Sequence, residues 1–292
     1  MMKGPECRFL SLRGNSMKLD GGSMFGNAPK ALWERWMSPD ARNMIPIGST
    51  ALLAVTQNNC VLFETGAGAY LPPDMKKRFQ INNDRHVLLD SLAQNNLTHE
   101  DITHVILSHL HFDHAGGLLK AWEQGRDHYE LLFPNARFIT GQANFERSVS
   151  PHVRDRASFI PGLAQMLEKT GRLVLVEDKS TLTLDNIEIE FIESCGHTPG
   201  MMLSWIKSQT HTICFAGDAA PGPAWVNLPI TMGYDRFPEL LVDEKKHVFH
   251  RICSENAWIF YPHDINCAAS KIIFDESLKR FKPCDPVKDL SI

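Results

Sequence analysis

The most constraining feature of this sequence is the run SHLHFDHAGG at residues 108–117, directly after the apolar run VIL. It places three histidines and one aspartate within six positions, namely His109, His111, Asp113 and His114. One histidine could be a satisfied core residue, but four such groups together need a partner, and a cation suits them. Short apolar runs predict buried strands. We therefore expect the cluster on a loop between the end of a strand and the start of a helix, where open α/β folds place ligand sites.

Three further candidate ligands each come just after another predicted strand. The strand EIEFIES leads into CGHTPG, which carries His197, while TICFAG is followed by Asp218 and AWIFYP by His263. Rigid strands can aim such side chains at one point and leave the mouth of a site to loops. Five histidines and two aspartates are too many for one tetrahedral ion, but they suffice for two.

The spacing also suggests how the ligands divide between two ions. In an extended segment residues 109 and 111 point the same way, so His109 and His111 can hold one ion together. Asp113 and His114 lie where the chain turns into a helix and would face a second ion. Asp218 is the bridging candidate, because a carboxylate can bind two cations and a neutral imidazole cannot. Histidine and carboxylate ligands without thiolates favour two zinc ions, with iron, manganese or cobalt left open.

The rest of the chain predicts one α/β domain over residues 1–292. Short apolar runs alternate with helical patterns, and no repeat or low-complexity linker divides them. The strands come in two groups, each with helices, which predicts two sheets packed face to face with helices outside. A helix is expected over HAGGLLKAWEQ, and AWIFY is expected to be the final strand.

The segment DGGSMFGNAPKALWERWMSPDARNMIPIG, residues 20–48, shows no strand alternation. Its aromatic and methionine side chains favour ordinary core packing. Two alternatives remain open, namely a wall folded over the site and a surface that pairs with a second subunit in a homodimer.

Composition excludes several classes of partner. Thirty Lys and Arg against 34 Asp and Glu give a net charge of −4, so neither nucleic acid nor an anionic membrane is an expected partner. Charges interrupt the first twenty residues, and no apolar run reaches the ~18 residues that span a bilayer. Seven scattered cysteines suggest reduced thiols rather than a disulfide framework. A cytoplasmic protein that acts on a small-molecule substrate is therefore expected.

These motifs resemble the metallo-β-lactamase superfamily of metallohydrolases. The resemblance rests on His109-Leu110-His111-Phe112-Asp113-His114, Gly196-His197, Gly217-Asp218 and Pro262-His263, and it extends from about residue 51 to His263. It implies a four-layer αββα sandwich with the site along one edge. It also implies that His109, His111 and His197 bind the first metal, that Asp113, His114 and His263 bind the second, and that Asp218 bridges them. SHLHFDHAGG and GHTPG are most similar to the branch of lactonases and glyoxylase-like hydrolases.

The sequence also departs from the family pattern. Glu64-Thr65-Gly66 stands where the family usually has Asp-Thr-Gly, whose carboxylate orients a metal-binding histidine from behind. Pro221 occupies the position of a tyrosine in quorum-signal lactonases, which counts against acyl-homoserine lactones as substrates. Asp264 could hold the ring of His263 or only cap its loop.

The function favoured by these features is hydrolysis of a carboxylic ester, lactone or thioester by a hydroxide that bridges two metals. Asp113 is the catalytic candidate, as a proton shuttle. The long segment after Asp218 offers four candidate wall residues that favour an uncharged, partly hydrophobic substrate: Trp225, Met232, Tyr234 and Phe237. A phosphodiesterase is the first alternative, although the charge balance does not favour the basic groove it would want. A metal-dependent oxidoreductase is the second, but its mononuclear iron form leaves Asp113, His114 and His263 unexplained.

Overall fold

A computed structural model describes residues 7–292 of the chain, so residues 1–6 of the predicted domain lie outside the described residues. The strands are β1 (Arg8–Arg13), β2 (Met17–Asp20), β3 (Met44–Ile47), β4 (Thr50–Val55), β5 (Cys60–Phe63), β6 (His104–Ile106), β7 (Arg137–Gly141), β8 (Leu173–Val176), β9 (Thr181–Leu184), β10 (Ile187–Ser194), β11 (Met201–Lys207), β12 (Thr212–Phe215), β13 (Trp258–Phe260), β14 (Ala269–Asp275) and β15 (Arg280–Val287). The helices are α1 (Gly21–Phe25), α2 (Lys30–Trp33), α3 (Pro73–Phe79), α4 (Val87–Gln94), α5 (Phe112–Ala115), α6 (Gln142–Val149), α7 (Leu163–Lys169) and α8 (Pro238–Glu255).

Two large sheets form the centre of the molecule. One has the strand order β1-β4-β5-β6-β7-β8, and the other has the order β15-β14-β13-β12-β11-β10-β9. Apolar side chains of both sheets form a common buried cluster, in which the rings of Phe63 and Phe215 lie 6.0 Å apart. Helices contact the sheets on their other sides, with α4 against β1, α6 against β7 and α8 against β14. The predicted αββα sandwich is therefore confirmed.

The strand directions place the candidate ligands at one edge. β5, β6 and β7 run parallel, as do β12 and β13, with Phe63 beside Ile106 and Phe215 beside Phe260. The carboxyl ends of neighbouring parallel strands meet at the same edge of a sheet, which is where α/β folds bind ligands. The polar segments that follow β5, β6, β12 and β13 consequently converge.

The expected helix after the histidine cluster is much shorter than HAGGLLKAWEQ. α5 ends at Ala115, and one turn of 3-10 helix covers Gly116–Leu118 before the chain becomes irregular. A Cβ atom at Gly117 would clash with the carbonyl oxygen of Thr65, and one at Gly116 would clash with that of Ala67. Both glycines therefore allow the segment after β5 to pack closely against the histidine loop.

AWIFY is not the final strand, because β14 and β15 follow it. β15 contains Pro283 and Pro286 and lies at the edge of its sheet, where a proline need not donate to a neighbouring strand. No helix within residues 7–292 is long and apolar enough to cross a membrane.

The segment over residues 20–48 packs into the core, as the favoured interpretation expects. Trp33 is 1% exposed and stacks on Phe25, whose ring in turn stacks on Trp225 at 4.6 Å between centroids. Although this segment shows no strand alternation, it contains β3, which pairs with β2 in a two-stranded antiparallel sheet. The alternative of a wall is also correct in part, since Met24 lines the cleft described below.

Candidate metal centre

The histidine cluster begins at His109, three residues after the end of β6, and its members lie partly on a loop and partly on a helix. His109 lies on the loop, and His111 directly precedes α5, while Asp113 and His114 lie within this four-residue helix. The loop after β10 supplies His197, and the segment after β12 supplies Asp218. All of these side chains except Asp113 are buried.

The first group of side chains consists of His109, His111 and His197, whose ligand atoms all lie within 4.8 Å of one another. His111 Nδ1 is 3.0 Å from His109 Nε2 and 3.3 Å from His197 Nε2. Burial, with the neighbouring imidazoles, holds the pKa of His109 and of His111 well below its usual value. Three imidazole nitrogens thus face one point, which is the arrangement that a cation requires.

The second group consists of Asp113, His114 and His263. The Nε2 atoms of His114 and His263 lie 3.1 Å apart, and Asp113 Oδ2 is 3.6 Å from His263 Nε2. Although burial opposes it, the negative charge of Asp218 raises the pKa of both histidines. The two nitrogens and one carboxylate oxygen form a second convergent set.

Asp218 lies between the two groups. Its Oδ1 atom is 3.2 Å from His263 Nε2 and 3.4 Å from His114 Nε2, while Oδ2 is 3.4 Å from His197 Nε2. Oδ1 is buried and makes no hydrogen bond to the described residues. A buried carboxylate oxygen without a donor needs an explanation such as a bound ion. The donor set and this unsatisfied oxygen fit two divalent cations on opposite sides of one carboxylate.

The outer nitrogens of two histidines show which ring atom faces inward. His197 Nδ1 donates to Asp235 Oδ1 at 2.8 Å, and His263 Nδ1 donates to the carbonyl oxygen of Gly48 at 2.8 Å. Because neither acceptor can donate in return, each neutral ring keeps its lone pair on the inward Nε2 atom.

Glu64 takes the place of the family's usual aspartate and also reaches a candidate ligand. Its Oε1 atom accepts the backbone N–H of Ser108 at 2.8 Å, and Oε2 lies 3.2 Å from His114 Nδ1. The second pair is close but not aligned as a hydrogen bond. Asp264, in contrast, accepts the backbone N–H groups of Asn266 and Cys267 and so caps its loop.

Three residues that support the site carried no assigned role in the sequence. Asp235 also accepts the backbone N–H of Met232 at 2.6 Å, in addition to holding His197. Asn144 accepts the N–H of Leu110 at 2.9 Å and donates to the carbonyl oxygen of Pro199, so it joins two ligand-bearing loops. Glu244 accepts the N–H groups of Cys195 and Gly196. Apart from the bond between Asp235 and Met232, these contacts join residues more than 30 positions apart, which spacing alone does not reveal.

A cleft of about 210 Å³ opens over the candidate metal centre. Asp113, Met232 and Tyr234 line it. Apolar side chains also contribute, with Leu19 and Met24 from the region of β2 and α1 and Phe79 from α3. Trp225, a predicted wall residue, is instead a core residue that donates its indole N–H to the carbonyl oxygen of Met24. Phe237 is exposed, directly before α8.

Comparison with known proteins identifies similar chains. Residues 44–246 match the family model described as the metallo-beta-lactamase superfamily. A probable metal-dependent hydrolase from Staphylococcus aureus is 26% identical, with a TM-score of 0.83 over 97% of this chain and 98% of that one. AidC, a dizinc quorum-quenching lactonase in complex with a product, is 20% identical with a TM-score of 0.72 over 97% and 95% of the two chains. The hydrolase AbOPH is 17% identical, with the same TM-score and coverage. No curated protein matches the chain in sequence.

Proposed function

Because the chain belongs to the metallo-beta-lactamase superfamily, a family of metal-dependent hydrolases, we propose that it hydrolyses a carboxylic ester, lactone or thioester at a binuclear metal centre. The observation that carries the binuclear part is the position of Asp218. One of its oxygens faces His114 and His263, and the other faces His197. A single ion would leave one of these two faces without a function.

In this proposal seven side chains hold two divalent ions, with zinc favoured by the ligand chemistry. His109, His111 and His197 would hold the first ion, Asp113, His114 and His263 would hold the second, and Asp218 would serve both sites. When bound, the two ions supply Lewis-acid polarisation of the acyl oxygen and a water of lowered pKa.

Side chains of the cleft have two roles in this proposal, which are proton transfer and exclusion of water. Asp113 is the one proposed ligand that is only partly buried, at 13% side-chain exposure, and it lines the cleft. This position allows its carboxylate to take a proton from the attacking water and return it to the leaving oxygen. Leu19, Met24 and Met232 form an apolar lining that limits access of other water.

Hydrolysis at an acyl carbon is supported by two observations. The part of the cleft beside the candidate ligands is lined by apolar side chains, among them Leu19, Phe79 and Phe112, as suits an acyl group. AidC, a dizinc quorum-quenching lactonase, shares the fold over nearly the whole length of both chains. Pro221 lacks a side-chain donor at the position of the lactonase tyrosine, so homoserine lactones are proposed to be poor substrates unless Tyr234, which lines the cleft, supplies that donor.

The proposal is tested by metal analysis of reconstituted protein. Wild type should bind about two ions per chain. His263→Ala should bind about one, because the second group loses a nitrogen while the first stays intact. His128→Ala, a substitution on an exposed loop, should keep the wild-type value. One ion in wild type, unchanged in His263→Ala, would contradict a binuclear centre.

The substrate class is tested with a panel of aryl esters, lactones, thioesters and phosphodiesters. We expect kcat/KM to be highest for a member of the acyl group. A preference of tenfold or more for a phosphodiester would instead support the phosphodiesterase alternative.

A further inference from the structure

A second recess of about 210 Å³ adjoins the cleft and differs from it in charge. The two cavities share His111, Ser158, His197 and Tyr234, so they meet beside the first group of histidines. The cleft has one arginine, Arg78, among apolar side chains and candidate metal ligands. The recess is lined by Arg154 and Arg236.

The charges around this recess do not cancel. Asp155 is the acidic side chain that lines it, and Arg147 already pairs with Asp155 Oδ2 through Nε at 3.0 Å and Nη2 at 2.8 Å. Arg236 Nε lies 3.9 Å from the same oxygen, too far for a hydrogen bond. Arg154 donates to the carbonyl oxygen of Gly233, which is uncharged. Three guanidinium groups therefore lie around one carboxylate, which leaves an excess of positive charge beside the recess.

Arg236 is also poorly satisfied as a hydrogen-bond donor. Its side chain is only 13% exposed, and its Nε and Nη1 atoms are buried without an acceptor among the described residues. Leaving buried charged donors without acceptors is costly, so such atoms indicate a ligand that supplies the acceptors. The flat guanidinium group matches the oxygens of a carboxylate or phosphate.

We infer that the recess binds a small oxyanionic group on the substrate, a carboxylate or a phosphate monoester, while the neutral acyl part occupies the cleft. This inference rests on the proposed function and narrows its substrate class. The reacting ester, lactone or thioester carbonyl stays uncharged, but the molecule carries an anion on the His197 side of the site. This inference differs from the sequence-based prediction of an uncharged substrate, and the experiment below distinguishes the two.

The test compares esters that differ only in the anion. On the acyl side the pair is phenyl hexanoate and the monophenyl ester of adipic acid, with phenyl 6-(phosphonooxy)hexanoate as the phosphate arm. On the leaving-group side the pair is phenyl acetate and 3-carboxyphenyl acetate. Each substrate is measured with metal-loaded wild type and variants, so the ratio of wild type to variant cancels intrinsic reactivity.

Arg236→Met should lower kcat/KM for the preferred anionic substrate by about 10- to 100-fold, as expected for a lost charged hydrogen bond, mainly through KM. The neutral partner should change less than about threefold, and metal content should stay the same. Arg154→Met should show the same selectivity, which keeps the test valid if Arg236→Met folds poorly. Arg156→Met removes an exposed charge that does not line the recess and should leave both substrates unaffected. The better of the carboxylate and phosphate arms identifies the anion.

Three outcomes would overturn the inference. Equal losses for neutral and anionic substrates in Arg236→Met would show that this residue only supports Asp155 and the His197 loop. Loss of the anion preference in Arg78→Met, which removes the cation of the apolar cleft, would place the anion there instead. Calorimetric binding of adipate and phosphate to wild type and Arg236→Met tests the recess without any reaction. Weaker binding by the variant supports the recess even if the proposed reaction is wrong, and unchanged binding contradicts it.

Discussion

Asp235 shows how one residue outside the proposed ligand set can govern a ligand. Its carboxylate is fully buried and accepts from His197 Nδ1 through one oxygen and from the N–H of Met232 through the other. The first contact fixes the tautomer of His197 and makes its Nε2 atom more basic. The second contact joins Asp235 to the loop that carries Met232, a residue that lines the cleft.

Asp235→Asn should therefore weaken the first metal site. The neutral amide no longer balances the charge that develops on the imidazole, and such changes behind a ligand typically cost ~10–100-fold in metal affinity. Competition with a chromogenic chelator measures this loss. Asp243→Asn, at an exposed position on α8, is the matched control and should keep the wild-type affinity. Equal affinities in all three proteins would limit Asp235 to holding its loop.

For single residues, the sequence predicts which proposed ligands lie close together but not which side chains hold those ligands in position. The seven proposed ligands follow strand ends in a recognisable motif, and all seven meet in the structure. Asp235 stands 38 positions from His197, and Asn144 stands 34 positions from Leu110. Side-chain pairs this far apart depend on tertiary packing, which neither spacing nor hydrophobic period contains.

α8 contacts two loops of the site, the turn before His197 and the segment after Asp218. Its Glu244 makes the main contact with the turn before His197. One Glu244 oxygen accepts from Cys195 N at 2.8 Å, and the other accepts from Ser194 Oγ at 2.6 Å and Gly196 N at 3.1 Å. These three donors immediately precede His197. The helix consequently holds the turn from which that histidine projects.

Glu244→Gln should destabilise this turn, since an amide NH₂ group cannot accept the bonds that one carboxylate oxygen accepted. Loss of such buried bonds costs ~1–3 kcal/mol and should lower both the melting temperature and the affinity of the first metal site. Glu239→Gln, in the exposed first turn of the same helix, is the control for a change of charge. A lower melting temperature with unchanged metal affinity would show that the turn positions His197 without help from Glu244.

The elements themselves are predictable where alternation is strong and turns are clear. The hairpins β4–β5 and β9–β10 and the helix α8 follow this logic. β1 and β15 are edge strands, where burial is partial, and β15 also contains prolines. β14, which was also missed, lies inside its sheet, so its position does not explain why. The helix after Ala115 was overpredicted because Gly116 and Gly117 pack against backbone rather than continue a helical face.

For the molecule as a whole, Lys245 connects α8 to the long segment after Asp218. Its ammonium group is 1% exposed and donates to the carbonyl oxygens of Asn227, Leu228 and Ile230, the last at 2.8 Å. Burial lowers the pKa of Lys245 to about 7, against the attraction of Asp235. A group of this kind links global stability to pH.

The sign of that link follows from the two pKa values of Lys245. The folded pKa of about 7 lies below the ordinary value of 10.5, so between these limits the unfolded chain binds a proton that the folded chain has released. The free energy of unfolding must therefore rise with pH across this window. Below about pH 7 both states are protonated, and this contribution no longer changes with pH.

Lys245→Met should remove this rise, whatever its effect on stability at any one pH. The slope of the unfolding free energy against pH should be lower than in wild type by up to ~1.4 kcal/mol per pH unit. Urea denaturation of the metal-loaded proteins at several values from about pH 7.5 to about pH 9.5 measures the two slopes. Lys246→Met, at the exposed neighbouring position, should keep the wild-type slope. Parallel slopes for wild type and Lys245→Met would mean that the three carbonyl oxygens keep the ammonium charged throughout this range, so that α8 is joined to the cleft segment by a permanent cation.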